Sequence, residues 1–163
     1  SSQSDITLPW LAQHVDAFYI GGTKVGAMFG EAVVFSNIKA PRAFFTTVKR
    51  HGALLAKGRM LGIQFDTLFT DNLYLRVARH ANEMAERLRG IFISHGIQMG
   101  VDSPTNQQFV ILTPQEKEQL MESIAFEVWS PLPDGNILCR FVTSWATTEE
   151  DLEALDKALA GLV

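Results

Sequence analysis

Apolar and polar positions divide the chain into two differently patterned parts. In the first, apolar residues come in short unbroken runs. "AFYI" (17–20) and "EAVVF" (31–35) read as strands of the parallel type, apolar enough to be buried on both faces of a covered α/β sheet. Ahead of them a short helix is predicted over 7–15, with Thr7 as its cap and Pro9 in its first turn. Helices are predicted over 43–57 and 59–70. The second of these, "RMLGIQFDTLFT", is apolar nearly all round, as expected of a helix that is buried or packs at a subunit interface.

From residue 73 the period becomes helical and the polar faces clear. Tyr74, Val77, Ala78, Ala81, Ala85, Leu88 and Phe92 form one stripe of a helix over 73–95, with Arg79–Glu83 and Glu83–Arg87 pairs on its other face and Gly96 as its stop. "QFVILT" (108–113) reads as a strand. Thr113, Pro114 and Glu116 then form a capping box that opens a helix to about Ser123. "IAFEVW" (124–129) and "NILCRFVTSW" (136–145) read as antiparallel strands around "SPLPDG". Thr147 with Glu150 is expected to cap a last helix whose apolar face is Leu152, Leu155, Leu159 and Leu162. The boundary falls near residue 72. Two strands cannot cover themselves, so residues 1–72 are expected to be the C-terminal segment of a larger α/β domain, and 73–163 a small α/β domain with its long leading helix.

Composition narrows the function classes. The chain has 163 residues, 47% hydrophobic and 20% charged, an ordinary globular balance. A net charge of -4 without clustered Lys and Arg leaves no electrostatic footprint for nucleic acid. Cys139 is the sole cysteine, so an internal disulfide is impossible and a cytoplasmic protein is the simpler expectation. No apolar run reaches the roughly 18 residues needed to span a membrane, and "SSQSDITLPW" lacks the pattern of a signal peptide.

The candidate chemistry starts at "GGTK". Lys24 sits in a glycine-rich turn between the two apolar strands. It reads either as a solvated loop lysine or as a site residue. Gly21, Gly22 and Gly26 would shape the turn and let something bulky approach. A strand end in a covered α/β sheet is a usual ligand position. A desolvated lysine loses its proton easily and becomes a nucleophile. Together these features point to a Schiff-base lysine for pyridoxal phosphate (PLP).

Arg140, in the middle of "ILCRFVTSW", needs an acceptor. That acceptor is either a neighbour such as Glu127 on the adjacent strand or, through the bidentate guanidinium fork, a substrate carboxylate. Lys57 and Arg59, in "AKGRMLG", read from the residues alone as a solvated charge pair before a helix. Thr23 is placed to hydrogen-bond a phosphate. The histidines His14, His51, His80 and His95 lack metal-ligand spacing and are read as surface residues, so no metal site is expected.

Four blocks in order carry a resemblance: "DAFYIGGTKVGAMFGEAVVF", "KRHGALLAKGRMLGIQFDTLF", "LYLRVARHANEMAERL" and "CRFVTSWATTEEDLEAL". From about Leu8 onward the chain resembles the C-terminal half of PLP-dependent threonine aldolases, fold type I lyases of amino-acid metabolism related to aminotransferases and β-eliminating lyases. The resemblance implies a large PLP-binding domain followed by a small C-terminal one with an antiparallel sheet, and active sites at the interface of a homodimer or homotetramer. It implies that Lys24 forms the internal aldimine and that Arg140 holds the substrate's α-carboxylate. It also implies that Lys57 and Arg59 lie near the active site, within reach of the phosphate of a neighbouring subunit, and that the reaction splits a threonine-like amino acid into glycine and an aldehyde. The stretch 64–66 reads "QFD" where the resembling block often carries a further arginine. A complete enzyme of this kind is roughly twice this length, and its first half would carry the groups that hold and tune the ring. The chain is therefore expected to be incomplete, a fragment or one of several chains, with a separate N-terminal chain as one candidate partner. Other fold type I reactions, β-elimination or transamination, and a non-catalytic fragment acting as an interaction module are the alternatives.

Overall fold

The computed structural model describes residues 4–162. It divides into two compact units, one running through Val77 and the other starting at Ala78.

In the first unit, helix α1 (Leu8–His14) opens with the Thr7 side chain accepting from the Trp10 amide and Pro9 in its first turn. Strands β1 (Ala17–Gly21) and β2 (Glu31–Phe35) pair antiparallel, Tyr19 opposite Val33. This corrects the parallel-type expectation. The connection, residues 22–30, is shorter than the roughly dozen residues a parallel crossover needs. The strands are also less covered than their composition suggests, and Tyr19 and Val33 lie exposed.

Helix α2 (Phe44–Arg50) is half the length predicted. Gly52, at φ +70°, takes the left-handed conformation that ends helices, and its amide bonds back to the Lys49 carbonyl. Helix α3 (Arg59–Phe69) buries Phe65 and Leu68 and exposes Met60 and Ile63. A turn at Thr70–Asn72, with Asp71 and Asn72 at positive φ, separates it from helix α4 (Leu73–Ser94).

The second unit is a two-layer α/β structure. Its sheet has the order β3-β4-β6-β5, antiparallel throughout, from β3 (Gln98–Val101), β4 (Gln107–Leu112), β5 (Glu127–Pro131) and β6 (Ile137–Val142). One face is buried. Val110, Leu112, Cys139 and Phe141 pack with Met84, Leu88 and Phe92 of α4, Leu120 of α5 (Pro114–Met121) and Leu152, Leu155 and Leu159 of α6 (Glu149–Ala160). Residues from Ala81 on supply the α4 stripe the sequence predicts, with Met84 added.

The Thr113–Glu116 capping box forms at α5. At α6 the box is one residue later than expected, Thr148 with Asp151, because Thr147 turns its hydroxyl to the Ser144 amide. Strand β5 begins three residues later than read. Strand β3 was not anticipated, being short and interrupted by Gly100.

Candidate functional site

Lys24 stands in a one-turn 3-10 helix, Thr23–Val25, between β1 and β2. The Gly22 carbonyl accepts from the amides of both Val25 and Ala27, and Gly26 at φ 93° reverses the chain. Helix α3 holds this turn from outside. The Met28 amide donates to Gln64 Oε1 at 2.6 Å, and Gln64 Nε2 donates to the Phe29 carbonyl at 3.3 Å. Gly30 has φ +85°, and a Cβ there would come within 2.2 Å of Leu61 Cδ2. At Gly22 a Cβ would lie 2.4 Å from that of Ala27 and 3.2 Å from the Phe65 ring. Glycine is therefore required at both ends of the loop: at Gly30 by its backbone angle, at Gly22 by close approach. The end of β1 is tied as well, the Tyr74 hydroxyl donating to the Gly21 carbonyl at 2.9 Å; burial pushes the Tyr74 phenol's pKa up.

The turn is braced by these hydrogen bonds, but it does not desolvate Lys24. Both Lys24 and Thr23 are exposed. The expectation of a buried amine is corrected: the loop's hydrogen bonds and glycines hold its backbone, and its lysine points away from the packing. An exposed primary amine on a braced turn, with a hydroxyl beside it, fits covalent attachment of PLP and one phosphate contact. Lys57 lies in the turn before α3 and Arg59 opens that helix, both exposed. Gln64, in the "QFD" stretch, is spent on bracing the Lys24 loop. Sequence reasoning missed that role because its partners are backbone groups more than thirty residues away.

Arg140 belongs to the second unit. It stands on the open face of the sheet, directly opposite Phe109 of β4 and Glu127 of β5. Nη1 donates to Gln107 Oε1 at 2.9 Å and Nη2 donates to Glu127 Oε2. Trp129 sits against the guanidinium, 4.6 Å from its carbon to the indole centroid, and itself packs edge-on against Phe109. Nε is buried without a hydrogen-bond partner. The cross-strand acceptor named from sequence is thus in place. Gln107 and Trp129 were not foreseen, although alternation along β4 would have put Gln107 on the outer face. Lys24 and Arg140 are carried on different units.

Of the histidines, His14 stacks on Trp10 and His51 is exposed, but His80 is half-buried and bonded to the Thr147 carbonyl, and His95 pairs with Asp156. The last two are structural ties between α4, or the turn after it, and the α6 region.

No family model matches the chain. Its architecture is that of the C-terminal part of fold type I PLP-dependent enzymes. A solved structure of SPT with its PLP internal aldimine superposes with a TM-score of 0.56 at 15% identity, over 89% of this chain and 39% of that one, a likeness of fold.

The relatives that resemble it in sequence are threonine aldolases, and the chain corresponds to their C-terminal part. It is 31% identical over 150 residues to the low specificity L-threonine aldolase of Pseudomonas sp. (strain NCIMB 10558), covering 91% of this chain and 42% of that protein. The Pseudomonas aeruginosa protein of the same description is 30% identical over 153 residues, 93% of this chain and 43% of its own length. The solved Leishmania major threonine aldolase matches with a TM-score of 0.90 at 38% identity, over 96% of this chain and 46% of that one. The chain spans under half the length of the relatives it matches.

Proposed function

We propose that this chain is the lysine- and arginine-bearing part of a PLP-dependent aldolase that cleaves a threonine-like β-hydroxy-α-amino acid into glycine and an aldehyde. The observation that carries the reading is the braced turn presenting Lys24, in a chain similar to threonine aldolases over nearly its whole length. Lys24 would hold PLP through its Nζ. The Thr23 hydroxyl would donate to the phosphate, and Lys57 and Arg59 would add positive charge to it. When bound, PLP supplies an electron sink for the pair released as the Cα–Cβ bond breaks. Arg140 receives the amino acid's carboxylate on its planar fork and fixes its orientation, so that one bond at Cα is presented for cleavage.

The Arg140 assignment predicts a specific loss. Arg140→Lys keeps the charge but not the fork. Amino-acid affinity should fall by about 1.5–3 kcal/mol, the scale of a hydrogen bond to a charged group, while PLP attachment is unchanged. Titration of the PLP-loaded enzyme, assembled with its N-terminal half, with glycine measures both. Unaltered affinity would make Arg140 purely structural.

Partners follow from the first unit's surface. Tyr19, Met28 and Phe45 are 70%, 83% and 74% exposed, and Val33, Leu54, Leu55, Met60 and Ile63 are also open. Apolar exposure on this scale marks an interaction surface. We expect the chain to bind copies of itself or a separate N-terminal chain through it. Sedimentation of the purified chain should show species heavier than a monomer; a monodisperse monomer at high concentration would refute the expectation. A cytoplasmic location is part of the same reading, the single cysteine of the sequence being unable to form an internal disulfide.

A further inference from the structure

The arginine assigned to the substrate's carboxylate already carries a carboxylate. Arg140 is held from both neighbouring strands, by the neutral amide of Gln107 on Nη1 and the anionic Glu127 on Nη2, with the Trp129 indole against its face. The three contacts are not equivalent. Gln107 and Trp129 bring no charge, so they fix the plane of the guanidinium without neutralising it. Glu127 neutralises it.

The two ion-pair partners also differ in how firmly they are set. The Arg140 side chain is 22% exposed, whereas that of Glu127 is 61% exposed. Arg140 lies mid-strand in β6, between β4 and β5. Glu127 is the first residue of the edge strand β5, whose pairing slips in register between Val128 and Ser130. Glu127 gives up little hydration when it pairs and regains full hydration when it leaves, so it can be exchanged readily while Arg140 stays where its neighbours put it.

We propose that Glu127 is a resident carboxylate that occupies the Arg140 fork and sets the affinity for the amino-acid substrate by competing with its α-carboxylate. This rests on the reading of Arg140 given above. An incoming carboxylate meets a cation that is already paired and a like charge beside it. Each terminal nitrogen carries two hydrogens, so Nη1 keeps one beyond that given to Gln107. When Glu127 swings away, Nη2 joins Nη1 as the parallel two-donor pair that a carboxylate matches. Substrate binding is then an exchange of one carboxylate for another on a fixed guanidinium.

Glu127→Gln tests the exchange, because it keeps the size and an acceptor oxygen but removes the competing charge. The probe is glycine, titrated into the PLP-loaded enzyme assembled with its N-terminal half. The readout is Trp129 fluorescence in a background where Trp10 and Trp145 are phenylalanine, with thermal melting run on each variant. The expected result is a several-fold lower dissociation constant for glycine in Glu127→Gln, a matching fall in KM with little change in kcat, and no effect on ethanolamine, which has the amine but no carboxylate. Glu127→Ala should shift glycine the same way.

Neither Glu127 variant binding glycine more tightly than wild type, whether all respond or none does, overturns the proposal and makes Glu127 a positioning residue for the arginine. Arg140→Met separates this from the reading beneath it. If Arg140→Met leaves glycine affinity intact, the Arg140 assignment itself fails. If Arg140→Met abolishes it while Glu127→Gln gives no gain, only the competition fails.

Discussion

Lys24→Ala is expected to abolish covalent capture of PLP while leaving the fold essentially unchanged. The first half of that expectation comes from chemistry: alanine has no amine to condense with an aldehyde. The second comes from the structure. The Lys24 side chain is exposed, and the turn is held by groups the substitution does not touch: the Gly22 carbonyl, the left-handed Gly26 and the Gln64 side chain. Surface substitutions of this kind usually change stability by about 0.5 kcal/mol or less. Incubation with PLP of a preparation that contains the N-terminal half, reduction with borohydride and peptide mass mapping read the result directly. Wild type should carry one reduced adduct on the peptide containing Lys24, Lys57→Ala should carry it too, and Lys24→Ala should lose it. An adduct at wild-type level in Lys24→Ala would mean that another amine is the attachment point.

A Gln64→Leu variant would probe the brace behind that lysine, and the difficulty of foreseeing it illustrates what sequence conveys. Helical stripes and caps were legible because they are local. The stripe of α4, the Thr113–Glu116 box and the apolar face of α6 each depend on residues a few positions apart. The same local reading erred where two residues offered the same chemistry. Thr147 and Thr148 can both cap, and the choice fell to Thr148 because the Thr147 hydroxyl is used by the Ser144 amide.

Features set by distant partners were not legible. The antiparallel pairing of β1 and β2 is an exception, since the connection too short for a crossover stands in the sequence itself and the apolar composition of the strands overrode it. Strand β3 lacks an alternating pattern because Gly100 leaves room for Leu138, whose Cδ1 would lie 2.3 Å from any Cβ there. At the candidate site, the positions of Lys24 and Arg140 were readable as residue types in suggestive places, a solvated Lys24 was one of its two readings, and Glu127 was legible as a cross-strand acceptor for Arg140. Gln107 and Trp129 on the same guanidinium were not legible, since they depend on what the rest of the sheet brings alongside.

Phe92→Ala should be the most destabilising single change in the second unit, and it would disturb Arg140 without touching it. Phe92 is 0% exposed at the end of the α4 stripe. Its ring meets Phe141 edge-on at 4.8 Å, and Phe126 stacks on the other partner of that contact, Phe141, at 4.6 Å. Truncation removes the transfer energy of a buried aromatic and leaves a cavity that the sheet and helices around it can only partly fill. The combined cost is about 3–5 kcal/mol, a large share of the roughly 5–15 kcal/mol that holds a typical domain together. Phe141 is the residue after Arg140 and faces the opposite side of β6. Its packing inward is what keeps Arg140 outward, since a one-residue slip would exchange the faces. Denaturant unfolding should show a midpoint far below wild type for Phe92→Ala and a smaller shift for Phe92→Leu, which refills part of the space. Near-ultraviolet dichroism should lose aromatic signal in step. A loss under about 1 kcal/mol, well below the usual range for a buried phenylalanine, would mean that the Phe92–Phe141–Phe126 cluster does not anchor the sheet that carries Arg140.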